Sequence, residues 1–135
     1  MIVKNIDELN GSEREVIADN WISRRLLLAS DGLGFSFHQT MVKQDTETRM
    51  HYKHHVEAVY CIGGEGEIEL IGSGTIFQIG PGVMYALDQH EPHILRARQD
   101  MLLICVFSPP LHGREVHGED GSYPKEQKPT LLRIF

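Results

Sequence analysis

The chain has 135 residues, 41% hydrophobic and 24% charged, with a formal net charge of −6, the profile of one soluble globular domain that can bury a core without covalent staples. That acidic balance, with carboxylates scattered along the chain, argues against a protein that coats nucleic acid or carries an acidic tail. No apolar run approaches the ~20 residues of a membrane helix, the start MIVKNIDELNG lacks the pattern of a signal peptide, and two cysteines, Cys61 and Cys105, are too few for a disulfide framework; a cytoplasmic protein with no membrane and no nucleic-acid partner is expected.

In chain order, Ser12-Glu13-Arg14-Glu15 has the S-x-x-E spacing of a capping box and predicts one helical turn. From residue 21 the signals are for strands: RRLLLAS, FSFHQTMVK, EAVYCI, GEIELI, GTIFQI, VMYAL, HILRAR and MLLICVF. These runs are short and rich in branched or aromatic residues, and glycine, proline or polar turns separate many of them. The spacing predicts an all-β sandwich or barrel. MLLICVF is apolar on both faces, which predicts either a central strand or one that also faces a second subunit. After FSPPL the segment HGREVHGEDGSYPKEQKPTLLRIF is polar and reads as loop and tail, either disordered or folded over a site as a lid. A single domain over residues 1–117 is expected, followed by a mobile lid or tail over 118–135.

Residues 51–57, HYKHHVE, hold three histidines and a glutamate, a concentration that raises the question of a metal. Small β-barrels can carry a ligand in the mouth, and in one barrel family, the cupins, two motifs place metal ligands on facing strands. The first motif ends in a glutamate, six residues and a glycine, a spacing that Glu57 and Gly64 fit. The two histidines that should precede the glutamate do not both fit: reading back gives Lys53 and His51 in one register, Tyr52 and Met50 in the other. In the second motif Gly74, Gly80, Gly82 and Tyr85 occupy the places of glycine, proline, glycine and histidine, and His93 follows eight residues later. Taken singly, Tyr85 is either a packed aromatic or a ligand, and His93 either a surface or supporting residue or a ligand. Together, Glu57, Tyr85 and His93 offer carboxylate, phenolate and imidazole donors that suit a borderline divalent ion such as Fe(II). A phenol with a reference pKa of ~10 ionises readily only beside a cation.

The stretches HYKHHVEAVYCIGGEGEIE, PGVMYALDQHEPHILRA and VFSPPLHGREVHGEDGSYP closely resemble the ectoine synthases, as does NWISRRLLLASDGLGFSFHQT nearer the N-terminus. The likeness runs almost without gaps from residue 1 to about 124. Departures are His54, where the family often has asparagine, Gly63, where an acidic residue is common, and a tail after Pro124 that looks like an extension. The resemblance implies a cupin barrel, a small jelly-roll β-barrel with one or two short helices and a C-terminal lid, assembled as a homodimer. It implies an iron-dependent carbon–oxygen lyase that closes N-γ-acetyl-L-2,4-diaminobutyrate into the cyclic amidine ectoine with loss of water. That reaction is the last step in making a compatible solute against osmotic stress. By the same resemblance Glu57, Tyr85 and His93 are the iron ligands.

Such a reaction needs a carboxylate clamp, a polarised carbonyl, proton transfer, a folded substrate and a dry site. Arg24 and Arg25 are equal candidates for the clamp on chemistry, strand alternation lets only one face inward, and the resemblance favours Arg25. Trp21 is a pocket wall by resemblance. Thr40 shares a polar face with His38 and Ser36, opposite Phe35 and Phe37, a face that looks either into the barrel or to solvent. Tyr52 and His55 flank the glutamate motif as acid, base or substrate hydrogen-bonding groups, with Tyr52 expected to move the proton; His51 and His54 are expected in supporting roles. Cys105 and Phe107 alternate along one face of MLLICVF and either floor the pocket or pack the core. Glu115 and His117, two residues apart, are expected to point together into the mouth, where a carboxylate would hold the α-ammonium and take its proton; a solvated loop would look the same. Two other readings stay open: a metal cupin that oxidises a small substrate with O₂, and a cupin that binds a small ligand without chemistry.

Overall fold

The computed structural model describes residues 1–124; the end of the expected tail, 125–135, lies outside the described residues. Ten strands run in chain order among them: β1 Glu15–Ile17, β2 Trp21–Leu27, β3 Ser36–Val42, β4 Thr46–Met50, β5 Val56–Gly63, β6 Gly66–Leu70, β7 Ile76–Ile79, β8 Met84–Leu87, β9 His93–Ala97 and β10 Met101–Ser108. Two short 3-10 turns, Ile6–Leu9 and Ala29–Asp31, complete the described elements. The strands form two antiparallel sheets, ordered β1-β2-β3-β10-β5-β8 and β4-β9-β6-β7, which face each other across one core as a jelly-roll barrel.

The alternation read from the sequence is the alternation of burial. Along β5 the inward residues Glu57, Val59 and Cys61 are buried while Val56, Ala58, Tyr60 and Ile62 are exposed. Strand β10 is central, between β3 and β5, and buries Met101, Leu103, Cys105 and Phe107 with the intervening residues only half-buried. The polar face of β3 is the inner one: Ser36 and His38 are buried, and Phe37 and Gln39 lie on the other side.

The capped turn is not where its spacing predicts it, and β4 has no counterpart among the predicted strands. The capping box sits at Asn5–Glu8, where the Asn5 side chain accepts from the Asp7 N–H at 2.9 Å and Glu8 returns to the Asn5 N–H at 3.4 Å. At Ser12–Glu15 there is no helix: the Ser12 hydroxyl donates to the Leu9 carbonyl, Glu15 accepts from the Gly11 N–H, and Glu15 itself opens β1 opposite Arg24. Strand β4, TETRM, had no apolar signal because it is an edge strand; its Glu47 faces Arg96 of β9 in register, and Arg96 also holds Glu67 and Glu69.

Gly64 shows why a glycine follows the glutamate motif. It has φ of +76°, a left-handed conformation, and a Cβ there would collide with the Asp100 carbonyl where the β5–β6 hairpin lies against the entry to β10. Gly64→Ala should therefore destabilise the fold by about 2–4 kcal/mol, combining left-handed strain with overpacking, read as a shifted urea midpoint at unchanged slope.

Candidate active site

A cavity opens between the sheets, and each wall follows from strand parity. Trp21 and Ser23 of β2 and His38 and Thr40 of β3 form one wall. Cys105 and Phe107 of β10, with Glu57 of β5 and Tyr85 of β8, continue it; Met50 and Leu95 come from the facing sheet. The C-terminal segment closes the space with His117 and Tyr123. Tyr52, between β4 and β5, is buried at the centre: its hydroxyl is 2.9 Å from His117 Nε2 and donates to Met50 Sδ at 3.2 Å, and its ring stacks on Tyr123 at 5.3 Å. The Tyr52–His55 turn is braced by His90, whose Nδ1 reaches the carbonyls of Tyr52 and His55 at 2.7 and 3.1 Å.

Glu57 is 7% exposed. Burial raises its pKa to about 8, against a smaller lowering by the Cys105 thiol, and no cationic side chain of the described residues offsets the cost. Tyr85 faces it diagonally, since Val59 pairs with Tyr85 and Glu57 with Leu87 on the same inner face. Burial, and then the charge of Glu57, hold the Tyr85 phenol well above its ordinary range. His93 enters from β9 in the facing sheet with its ring 5.8 Å from that of Tyr52. Its Nδ1 is 2.9 Å from the Glu91 carbonyl, which can only accept, so Nδ1 carries the proton and Nε2 is left as a bare lone pair. That Nε2 is buried without a partner, and burial keeps the ring neutral. An uncompensated carboxylate, a phenol unable to ionise alone and an orphaned imidazole lone pair are the three features that a divalent cation relieves, so the donor set fits one. Among the described residues no group of three or more His, Cys, Asp and Glu is gathered to hold a metal ion, so such a site depends on the phenol as a donor.

Of the residues singled out in the sequence, Trp21, Thr40, Tyr52, Glu57, Tyr85, Cys105, Phe107 and His117 line the cavity. Arg25, His55, His93 and Glu115 stand behind the lining. Arg25 is wholly buried, as alternation allows for one arginine of the pair, while Arg24 turns outward to Glu15 at 3.0 Å. The terminal nitrogens of Arg25 donate to the carbonyls of Gly113 and Glu115 at 2.8 and 2.7 Å, so its guanidinium fastens the C-terminal segment. Glu115 does not point with His117: its carboxylate accepts the N–H groups of His112 and Gly113, both at 2.7 Å, in a tight local turn. Burial would raise its pKa, but those N–H donors and Arg25 outweigh it and keep it ionised. His55 packs edge-on against Phe107 and Tyr123. His51 and His54 also lie outside the lining.

Two lining residues had little sequence signal. Tyr123 is the single aromatic ring of the polar stretch 112–130 apart from the histidines, and that isolation was the clue. Ser23 is an ordinary serine until β2 pairs with β3.

His117 carries a pH signature. Burial, followed by the charges of Arg25 and His93, lowers its pKa from 6.5 to about 4. A base depressed on folding binds more protons when unfolded, so stability is lost as pH falls from about 6.5 towards 4, at up to ~1.4 kcal/mol per pH unit. Comparing wild type with His117→Phe by thermal melts isolates the contribution: the wild type should lose Tm faster over that window, and parallel curves would refute the shift.

Residues 1–127 match the family model described as ectoine synthase. The chain is 57% identical over 126 residues to the L-ectoine synthase of Wolinella succinogenes, covering 92% of this chain and 96% of that one. The crystal structure of ectoine synthase from P. lautus superposes with a TM-score of 0.81 at 55% identity, covering 83% of this chain and 80% of that one. An RmlC-like cupin from Shewanella frigidimarina shares the fold at 19% identity and a TM-score of 0.59, covering 69% of this chain and 79% of that one.

Proposed function

Because the chain belongs to the ectoine synthase family and is a carbon–oxygen lyase of the cupin fold, we propose that it closes N-γ-acetyl-L-2,4-diaminobutyrate into ectoine around Fe(II) held by Glu57, Tyr85 and His93. The observation that carries the metal is the buried Glu57 carboxylate without a cation, together with the bare His93 Nε2. An Fe(II) ion held by these residues would supply Lewis acidity to the acetamide carbonyl.

The chain's own residues do the rest. The α-nitrogen bonds to the acetamide carbon, the carbon–oxygen bond breaks, and two protons from that nitrogen leave with the oxygen as water. Tyr52 keeps its proton, since burial and then the Glu57 charge push its pKa well up, and His117 is neutral beside it. Tyr52 gives its proton to the departing oxygen and regains one from His117 Nε2, 2.9 Å away, while the imidazole takes a proton from the α-nitrogen at its other ring nitrogen; a second such transfer completes the water. Phe107, Leu95 and Leu103 keep water from the dehydrating centre. Trp21, Thr40 and Cys105 hold the substrate bent so that its ends meet. Arg25, Glu115 and His55 act from behind, fixing the segment that carries His117 and the packing around Phe107. Removing iron with a chelator should abolish ectoine formation and Fe(II) should restore it; turnover that survives complete iron removal would refute the metal's role.

The protein acts in the cytoplasm in osmotic protection, in keeping with two free, buried thiols. It works as a homodimer. Val56, Tyr60, Ile62 and Met84 project as exposed apolar groups from the outer face of β5 and β8, with Tyr60 directly opposite Met84, a patch that a second copy would cover. Sedimentation at micromolar concentration should give twice the chain mass of 15.3 kDa.

A further inference from the structure

One buried group on the cavity wall has no task in the chemistry above. His38 lines the cavity, its residue is 1% exposed, and its Nε2 has no hydrogen-bond partner. Strand register explains its surroundings: on the inner face His38 lies opposite Arg25, and Thr40 opposite Ser23. Arg25 Nε donates to Ser23 Oγ at 3.4 Å, and Ser23 Oγ lies 3.4 Å from His38 Nδ1. A hydroxyl that accepts from a guanidinium has its own hydrogen to give, and Nδ1 is the acceptor beside it. Donation to Nδ1 leaves the proton of the neutral ring on Nε2. Burial, then the charge of Arg25, keeps the imidazole uncharged. With Ser23 donating to Nδ1, the wall holds a buried N–H donor that has no acceptor among the described residues. Buried unsatisfied donors of this kind call for an explanation, and a ligand acceptor is one.

The substrate offers two acceptors in reach of such a wall: the acetamide oxygen and the α-carboxylate. The acetamide oxygen belongs to the Glu57 and Tyr85 side. The ammonium is a donor and is repelled by another. Arg25, which chemistry alone would choose for the carboxylate, is not part of the cavity lining: its terminal nitrogens donate to the Gly113 and Glu115 carbonyls, and it meets the lining at Ser23, His38 and Tyr123.

We infer that His38 is a substrate-binding residue whose Nε2–H donates to the α-carboxylate, and that Arg25 and Ser23 are positioning residues that fix its tautomer. The inference rests on the proposed cyclisation and adds its carboxylate subsite. The carboxylate is common to substrate and product, so the contact persists through turnover and lowers KM more than it raises kcat.

The test uses the iron-loaded full chain and two stable rings, ectoine and 2-methyl-1,4,5,6-tetrahydropyrimidine, the same cyclic amidine without its carboxylate. Calorimetry should show that His38→Leu weakens ectoine binding roughly tenfold to hundredfold, the range for a hydrogen bond to a charged group, while leaving the carboxylate-free ring unchanged. His38→Gln, which keeps an N–H at similar reach, should restore most of the affinity, and Ser23→Ala should weaken ectoine severalfold. Should His38→Leu fail to fold by circular dichroism, His38→Met takes its place. Wild-type affinity for ectoine in the donor-free variant, or equal loss for both rings, overturns the inference. Wild-type protein that makes no ectoine and binds neither ring would instead overturn the cyclisation, a result visible before any variant is made.

Discussion

Glu57→Ala is expected to lose bound iron and to slow ectoine formation by about three orders of magnitude or more, the scale of a lost Lewis acid worth several kcal/mol. The carboxylate is the one group of the candidate site that the folded chain pays to bury without a protein cation nearby. Without the carboxylate, Tyr85 loses the neighbour that shares its face and His93 Nε2 stays a lone donor across the barrel. Two neutral donors hold a divalent ion poorly. Iron content by atomic absorption and product by chromatography, measured on the same samples, check both halves. A variant that retains a full complement of iron would show that the ligand set is wrong even if activity is lost. The fold should survive, because alanine removes a buried polar group and the neighbouring Val59, Cys61 and Phe107 keep the core.

Arg25→Ala is expected to destabilise the protein by about 3–5 kcal/mol, the cost of breaking a buried charged network by removing one partner. The guanidinium is wholly buried, ties two backbone carbonyls 88 and 90 residues away, and lies 3.8 Å from the Glu115 carboxylate. Its removal leaves two carbonyls without their donor, a carboxylate without its counter-charge and a void beneath Tyr123, which sits 5.7 Å from the guanidinium carbon. The segment carrying His117 and Tyr123 should then open before the barrel does. Limited proteolysis is the direct readout: early cuts within residues 111–123 are expected in the variant, and none in the wild type over the same time. Arg25→Lys keeps the charge but not the forked geometry and should fall between the two. A variant with unaltered denaturation midpoint and protection would show that the segment is held by its aromatic contacts alone.

Much of this architecture was legible in the sequence because its strands alternate cleanly. The inward run Glu57, Val59, Cys61 and the polar run Ser36, His38, Thr40 follow from period two once one face is buried. The same parity separates Arg25 from Arg24. What stayed hidden depends on partners far along the chain. Strand β4 is charged and exposed, and becomes a strand through β9. Spacing alone placed Glu115 and His117 on one side, but the turn at 112–115 folds the carboxylate back on its own N–H groups. The alignment of Ser23 with His38 comes from the β2–β3 register, and Tyr123 reaches Tyr52 across 71 positions only because Arg25 and Tyr52 draw the C-terminal segment over the cavity.

The interior of this barrel is where an acetylated diamino acid would be cyclised. Proton NMR of the iron-loaded protein with N-γ-acetyl-L-2,4-diaminobutyrate under reducing conditions follows it directly. The acetamide methyl resonance should be replaced, mole for mole, by the methyl of the cyclic amidine, and no oxygen should be consumed. Unchanged substrate in the presence of folded, iron-loaded protein would contradict the account.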